Sequence, residues 1–160
     1  MSNVTTILVL LALLGSALIG GVFFAFSSFI MKALARVPSP EGIAAMQSIN
    51  VVVINPLFLG AFIGTALLSI GLAAFSLPNL DQVSTALFFS GAVMYFAGTF
   101  FVTMFRNVPL NNRLAAISVM DADAVKLWVD YLGRWTMWNH VRTATSISAT
   151  LLFAIGLMER

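Results

Sequence analysis

The chain has 160 residues, 60% of them hydrophobic and 9% charged, with a net charge of +2. A soluble domain carries about 25% charged residues, so the composition excludes water as the main solvent and predicts one membrane-embedded, all-α domain over residues 1–160. Eight basic residues are too few for a nucleic-acid surface, and the lack of Cys excludes disulfides, thiolate metal ligands and a thiol nucleophile.

The first stretch, residues 4–30, is uncharged. It exceeds the roughly 7–15 residues of a signal-peptide core and has no basic flank before it, so it reads as a spanning helix. About 20 apolar residues cross roughly 30 Å of hydrocarbon, and residues 51–75, 85–105 and 136–158 also qualify. Lys32 and Arg36 close the first span. Ser39-Pro40-Glu41 starts a helix, with Ser39 as its cap and Pro40 at its first position. No strong break is foreseen from there to Phe75, and Asn55-Pro56 is expected only to kink it. Gly60 and Gly64 make a GxxxG pattern that serves either a homo-oligomer interface or close packing inside the bundle. The second is the expectation.

Leu77-Pro78-Asn79 breaks the second span. Arg106-Asn107-Val108-Pro109 is expected to end the third, leaving Asn111, Asn112 and Arg113 in a loop. Asp121-Ala122-Asp123 opens an amphipathic helix over residues 121–135. There Lys126, Asp130 and Arg134 form an ion stripe at i, i+4, i+8, and Val125, Trp128, Leu132 and Trp135 form the opposite apolar stripe. Gly133 is the weak point before the fourth span. The predicted fold is an integral membrane four-helix bundle with helical extensions on the cytoplasmic side. Lys32, Arg36, Arg106, Arg113, Lys126, Arg134 and Arg142 all fall on one side, with Arg160 alone on the other. The positive-inside rule makes that side cytoplasmic, with both termini outside, in a membrane expected to be the bacterial cytoplasmic one.

Scarce polar groups gather in RWTMWNHVRT, residues 134–143. Residues 143–158 cover only about 24 Å as a helix, so the fourth span must begin earlier, with His140 and Arg142 at the edge of the hydrocarbon. Trp135, Trp138, Asn139 and Arg142 follow i, i+3, i+4, i+7 and share one face. His140 lies on a neighbouring face with Thr136 and Thr143. One reading is an interfacial aromatic belt with a snorkelling Arg. The other is a surface for a planar, oxygen-bearing ligand, because Asn139 gains nothing from facing lipid. Asn107, Asn111 and Asn112 serve turn chemistry or the same site. Gln47, Asn50 and Asn55 serve inter-helix hydrogen bonds or the same site. The three groups share one depth, so Asn107, Asn111, Asn139 and Arg142 are expected to converge in one pocket. One His and no intramembrane carboxylate give no ordinary zinc or di-iron site, and a bis-His haem is not available to one chain. A single axial His140 stays open.

Asn107-x-Pro109-x-Asn111-x-x-Leu114, followed by Trp135-x-x-Trp138-Asn139-x-x-Arg142-Thr143, resembles the small membrane family that includes the anthrone oxygenases. Gly21-Val-Phe-Phe and Met46-Gln-x-x-Asn50 leading to Asn55-Pro56-x-Phe58 are similar too, so the resemblance runs from about Gly20 to Thr143. It implies four membrane helices and, for the fungal members, cofactor-free oxygenation of an anthrone to an anthraquinone. The residues suit that chemistry. His140 would be the base, Arg142, Asn139 and Asn111 would hold the enolate oxygen, and Trp135 and Trp138 would stack on the ring. Asn107, Asn50 and Asn55 would add ligand contacts. A non-catalytic module that binds a membrane lipid, a quinone or a partner protein is the alternative. A transporter is disfavoured, since no span holds a carboxylate and no inverted repeat is visible.

Overall fold

The computed structural model describes residues 2–159. They form five helices: α1 (Asn3–Leu34), α2 (Ser39–Val52), α3 (Pro56–Asn79), α4 (Val83–Ala115) and α5 (Ala124–Met158). All but α2 are long and apolar enough to cross a membrane. The outer surface agrees: Leu57 and Phe105, on two of these helices, are 88% and 69% exposed, as suits a lipid surrounding.

α1 and α4 run one way and α3 and α5 the other. Each long helix packs against two neighbours, in the cyclic order α1, α3, α4, α5. The C-terminal ends of α1 and α4 therefore meet the N-terminal ends of α3 and α5, and the basic residues 32–134 collect at that end. α2 lies across this end, packed on α4 and α5. Two apolar cores result. One lies among the four long helices around Ile19, Phe23, Phe62, Tyr95 and Phe153. The other joins α2 to the ends of α4 and α5, through Ile43, Met46, Leu114, Trp128 and Tyr131. Hydroxyls bridge the helices inside the first core: Ser16 Oγ to Thr150 Oγ1 at 2.9 Å, and Thr99 Oγ1 to Ser146 Oγ at 2.9 Å. In hydrocarbon such groups must pair with each other, since no water is available.

Several expected boundaries move. Residues 39–75 are two helices, not one. Pro38 caps α2, with Ser39 and Pro40 in its first turn. Asn55 starts α3, its Oδ1 accepting from the backbone N–H groups of Leu57 and Phe58 at 3.1 and 3.0 Å. A capping Asn plus Pro56 at the first helical position is a strong start signal, and it outweighs continuity. The third helix does not end at Pro109. Turns widen to π-helical geometry over Met94–Phe101 and Thr103–Asn107, and Pro109 follows in the first turn of the renewed α-helix at Val108–Ala115. Proline is tolerated in such a first turn. The fourth helix is continuous through Gly133 for 35 residues, about 52 Å at 1.5 Å per residue, so its first turns stand beyond the hydrocarbon. In the ion stripe, Asp130 pairs with Arg134 at 3.5 Å and with Arg113 at 3.9 Å. In the opposite stripe Val125 is exposed, and Tyr131 is the buried member instead.

The GxxxG pair does not pack inside the molecule. A Cβ at Gly60 or Gly64 would meet nothing within 4 Å, whereas one at Gly98 would lie 2.6 Å from Thr145 Cβ. Gly98 thus lets α4 approach α5, as Gly91 and Gly156 do further along the same contact. Gly98→Ala is expected to cost about 1–3 kcal/mol through overpacking and to lower the unfolding temperature in detergent. Gly60→Ala should hold or raise it, since Ala favours helix by up to about 1 kcal/mol. A drop at Gly60 matching that at Gly98 would contradict the outward placement.

Candidate functional site

α5 buries one stripe: Trp128, Tyr131, Trp135, Asn139, Arg142 and Ser146, spaced three or four apart as a helix face requires. Arg142 is its unusual member. The side chain is 3% exposed and its guanidinium stacks over Phe23 at 4.0 Å and Trp135 at 5.0 Å. Nη2 donates to Asn139 Oδ1 at 2.7 Å and Nη1 to Thr103 Oγ1 at 3.3 Å. Nε is buried without a hydrogen-bond partner, and among the described residues no carboxylate pairs with this cation. A buried charge without a counter-ion is strongly disfavoured. Its position makes sense where an anion or polarised oxygen completes it.

Asn139 holds Arg142 from behind. Its Nδ2 donates to Phe23 O and Ser27 Oγ, both at 2.7 Å, where α1 widens to a π-helical turn at Phe26–Ile30. Both amide protons are engaged, so Asn139 positions the guanidinium and ties α1 to α5. Asn111 Oδ1 accepts from Tyr131 Oη at 2.9 Å and Trp135 Nε1 at 2.8 Å. Two donors on one oxygen fix the amide and leave its Nδ2 with donors to spare. Asn111→Leu would strand both donors at about 1–3 kcal/mol. The expected result is a clear fall in the unfolding temperature, with Tyr131→Phe showing the smaller part of it.

The three amides of residues 47–55 separate cleanly. Gln47 Nε2 donates to Leu114 O at 2.8 Å and Ile117 O at 3.1 Å, closing the C-terminal end of α4. Asn55 caps α3, as above, and does not line the cavity described next. Asn50 does line it. Its Nδ2 lies near the Tyr131 hydroxyl yet is buried without a hydrogen bond of ordinary geometry.

The cavity measures about 350 Å³, inside the roughly 300–1,000 Å³ range of small-molecule sites. It lies at the junction of the two cores. All five helices contribute, with Phe23, Asn50, Phe62, Asn111, Trp135 and Arg142 among its walls. Ile54, Ile63 and Met104 line it and are also exposed on the outside, so an apolar rim between α3 and α4 leads out to where lipid would lie.

Arg142, Asn111, Asn50 and Trp135 are therefore brought together. Other expected contacts are not. Asn107 is buried behind the wall, donating to Trp135 O at 3.1 Å. Trp138 is half-buried under the Arg106 guanidinium, 4.8 Å from the ring centre. His140 is exposed on the opposite flank of α5 and lines a separate outer groove. His140 directly follows Asn139, about 100° further around the helix, and that turn is enough to exclude it. Among the described residues no three His, Asp or Glu side chains cluster.

Residues 52–152 match the family model described as Anthrone oxygenase. The chain belongs to the anthrone oxygenase family. The match takes in α3, α4 and most of α5, with Asn107, Asn111, Trp135, Asn139 and Arg142. The segments around Gly21 and Met46–Asn50 lie outside it, so α1 and α2 supply cavity walls beyond the matched range. No curated protein and no solved structure matches the chain. Thr103, in the cavity wall, and Tyr131, behind it on Asn111, are residues that motif reasoning misses, and Phe23 lies in the Gly21-Val-Phe-Phe motif without a role given to it. Tyr131 could have been found as the i−4 neighbour of Trp135 on the buried stripe.

Proposed function

We propose that the cavity takes a flat, lipid-soluble aromatic ketone of the anthrone type, entering from the membrane, and stabilises its enolate for oxygenation by dioxygen. The observation that carries this is Arg142: a buried guanidinium with no carboxylate partner and an unpaired Nε, walled by aromatic rings. Arg142, Asn111 and Asn50 supply N–H donors for the ligand oxygen, while Phe23 and Trp135 flank the ring. A donor-rich, positively charged site favours the anion over the neutral ketone and so lowers the ligand's pKa. The ring methylene gives up a proton, and the enolate gives electrons to dioxygen. One oxygen atom ends as the new carbonyl and the other leaves as water, so the methylene and one O2 become a ketone and one H2O with no added reductant. No base is assigned to His140, which lies outside the cavity; the proton passes to water. No cofactor enters this proposal. The basic end is taken as cytoplasmic, with both termini outside.

The same donors suit the carbonyls of a quinone, so a quinone-binding module is the second reading. Purified protein in mild detergent should consume O2 and form quinone from an added anthrone in equal amounts. Tight quinone binding without turnover of any anthrone would favour the binding module. Absence of both would overturn the cavity assignment. A C-terminal tag inaccessible to external reagents on intact cells would reverse the orientation.

A further inference from the structure

A second concavity lies on the outside of the molecule, between α1 and α5, at the end where the basic residues collect. It measures about 550 Å³ and shares no lining residue with the central cavity. Its walls are mixed in an ordered way. Met31, Leu132 and Met137 are apolar, while Lys32, Thr136 and His140 carry polar heads, and no acidic residue lines it. Ser27 Oγ at its base is already engaged with Asn139 and Thr143. Ala35 and Gly133 keep it open, and a Cβ at Gly133 would meet nothing within 4 Å. Arg36 lies in the turn just past the end of α1. Phe29 and Met137 nearby are 60% and 47% exposed, so the groove faces the surroundings of the protein rather than its interior.

Depth and charge together select an occupant. α5 enters its apolar segment at residues 136–140, and the groove therefore sits at the border of hydrocarbon and headgroups. Lys32 and His140 at that border are unfavourable against bare lipid tails and favourable beside anionic headgroups. We propose that this groove is a binding site for an anionic membrane phospholipid. Lys32 pairs with the phosphate, Thr136 and His140 donate to its oxygens, and an acyl chain lies along Met31, Leu132 and Met137. The site is independent of the oxygenase reading, since it shares no residue with that cavity.

The test uses the full chain in mild detergent, titrated with phosphatidylglycerol, phosphatidylcholine or inorganic phosphate, with bound lipid counted by native mass spectrometry. Phosphatidylglycerol should bind well ahead of phosphatidylcholine, and millimolar inorganic phosphate should not displace it. Lys32→Gln with His140→Gln should weaken phosphatidylglycerol about fivefold or more, given about 1 kcal/mol for one Lys near an anionic surface and the loss of the imidazole N–H donor. Gly133→Leu projects an apolar side chain into the groove from a position where a Cβ meets no other protein atom within 4 Å, and it improves helix propensity, so it should weaken binding at least about tenfold in a fully folded protein. Equal binding of the two lipids would overturn the proposal. So would undiminished binding by Gly133→Leu, or displacement by inorganic phosphate, which would mark a free-anion site.

Discussion

Arg142→Met is expected to lower anthrone turnover by about a hundredfold or more while leaving the protein as stable as before, or more so. The two halves have one cause. A guanidinium buried at 3% exposure with no carboxylate beside it among the described residues opposes folding, because its two hydrogen bonds and two ring faces offset the desolvation of the charge only in part. Met fills similar volume, is apolar, and relieves that term. It also removes the only cation facing the cavity among the described residues and with it the preference for an enolate. Arg142→Lys keeps a charge but loses Nε and the planar fork that stacks on Phe23 and Trp135, so it should fall between. The readouts are O2 uptake and thermal unfolding in the same detergent. A large fall in unfolding temperature for Arg142→Met, with activity lost in proportion, would make Arg142 a structural strut and remove the basis for the proposed chemistry.

The architecture was largely legible in the sequence because a bilayer imposes few solutions. Uncharged runs of about 20 residues must be helices, and the placement of Lys32 through Arg142 orders their ends. Boundaries were less legible where two local signals compete. Asn55-Pro56 reads either as a kink or as a cap and first position, and packing decides for the cap. Pro109 reads as a stop, yet the π-helical turns before it absorb the disruption. At the site, i, i+3, i+4, i+7 spacing places Trp135, Trp138, Asn139 and Arg142 on one side of α5, but the arc is broad. Trp138 falls at its edge under Arg106 and His140 falls off it. Spacing along one helix also cannot tell which amide touches a ligand. Asn139 and Asn50 look alike in sequence. They differ because Phe23 O and Ser27 Oγ meet the Asn139 Nδ2, whereas that of Asn50 has only the Tyr131 hydroxyl beside it and no hydrogen bond of ordinary geometry.

That difference gives the second large effect. Asn139→Leu breaks three contacts at once, those to Phe23 O, Ser27 Oγ and Arg142 Nη2, although Ser27 Oγ keeps Thr143 Oγ1. The two bonds to α1 average about 0.6 kcal/mol each in membranes, so more than about 1 kcal/mol of stability should be lost, together with most activity, because Arg142 is no longer held. Asn139→Asp separates the causes. It keeps an oxygen for Nη2 and adds a charge, while removing the donor to Phe23 O and Ser27 Oγ. The carboxylate then pairs the guanidinium, part of the lost stability returns, and the field that selects an anionic ligand is cancelled from within the protein. Asn139→Asp should accordingly unfold at a higher temperature than Asn139→Leu yet turn over anthrone no faster. If it instead recovers activity along with stability, the guanidinium acts by shape and hydrogen bonding alone, and its charge is not what the reaction uses.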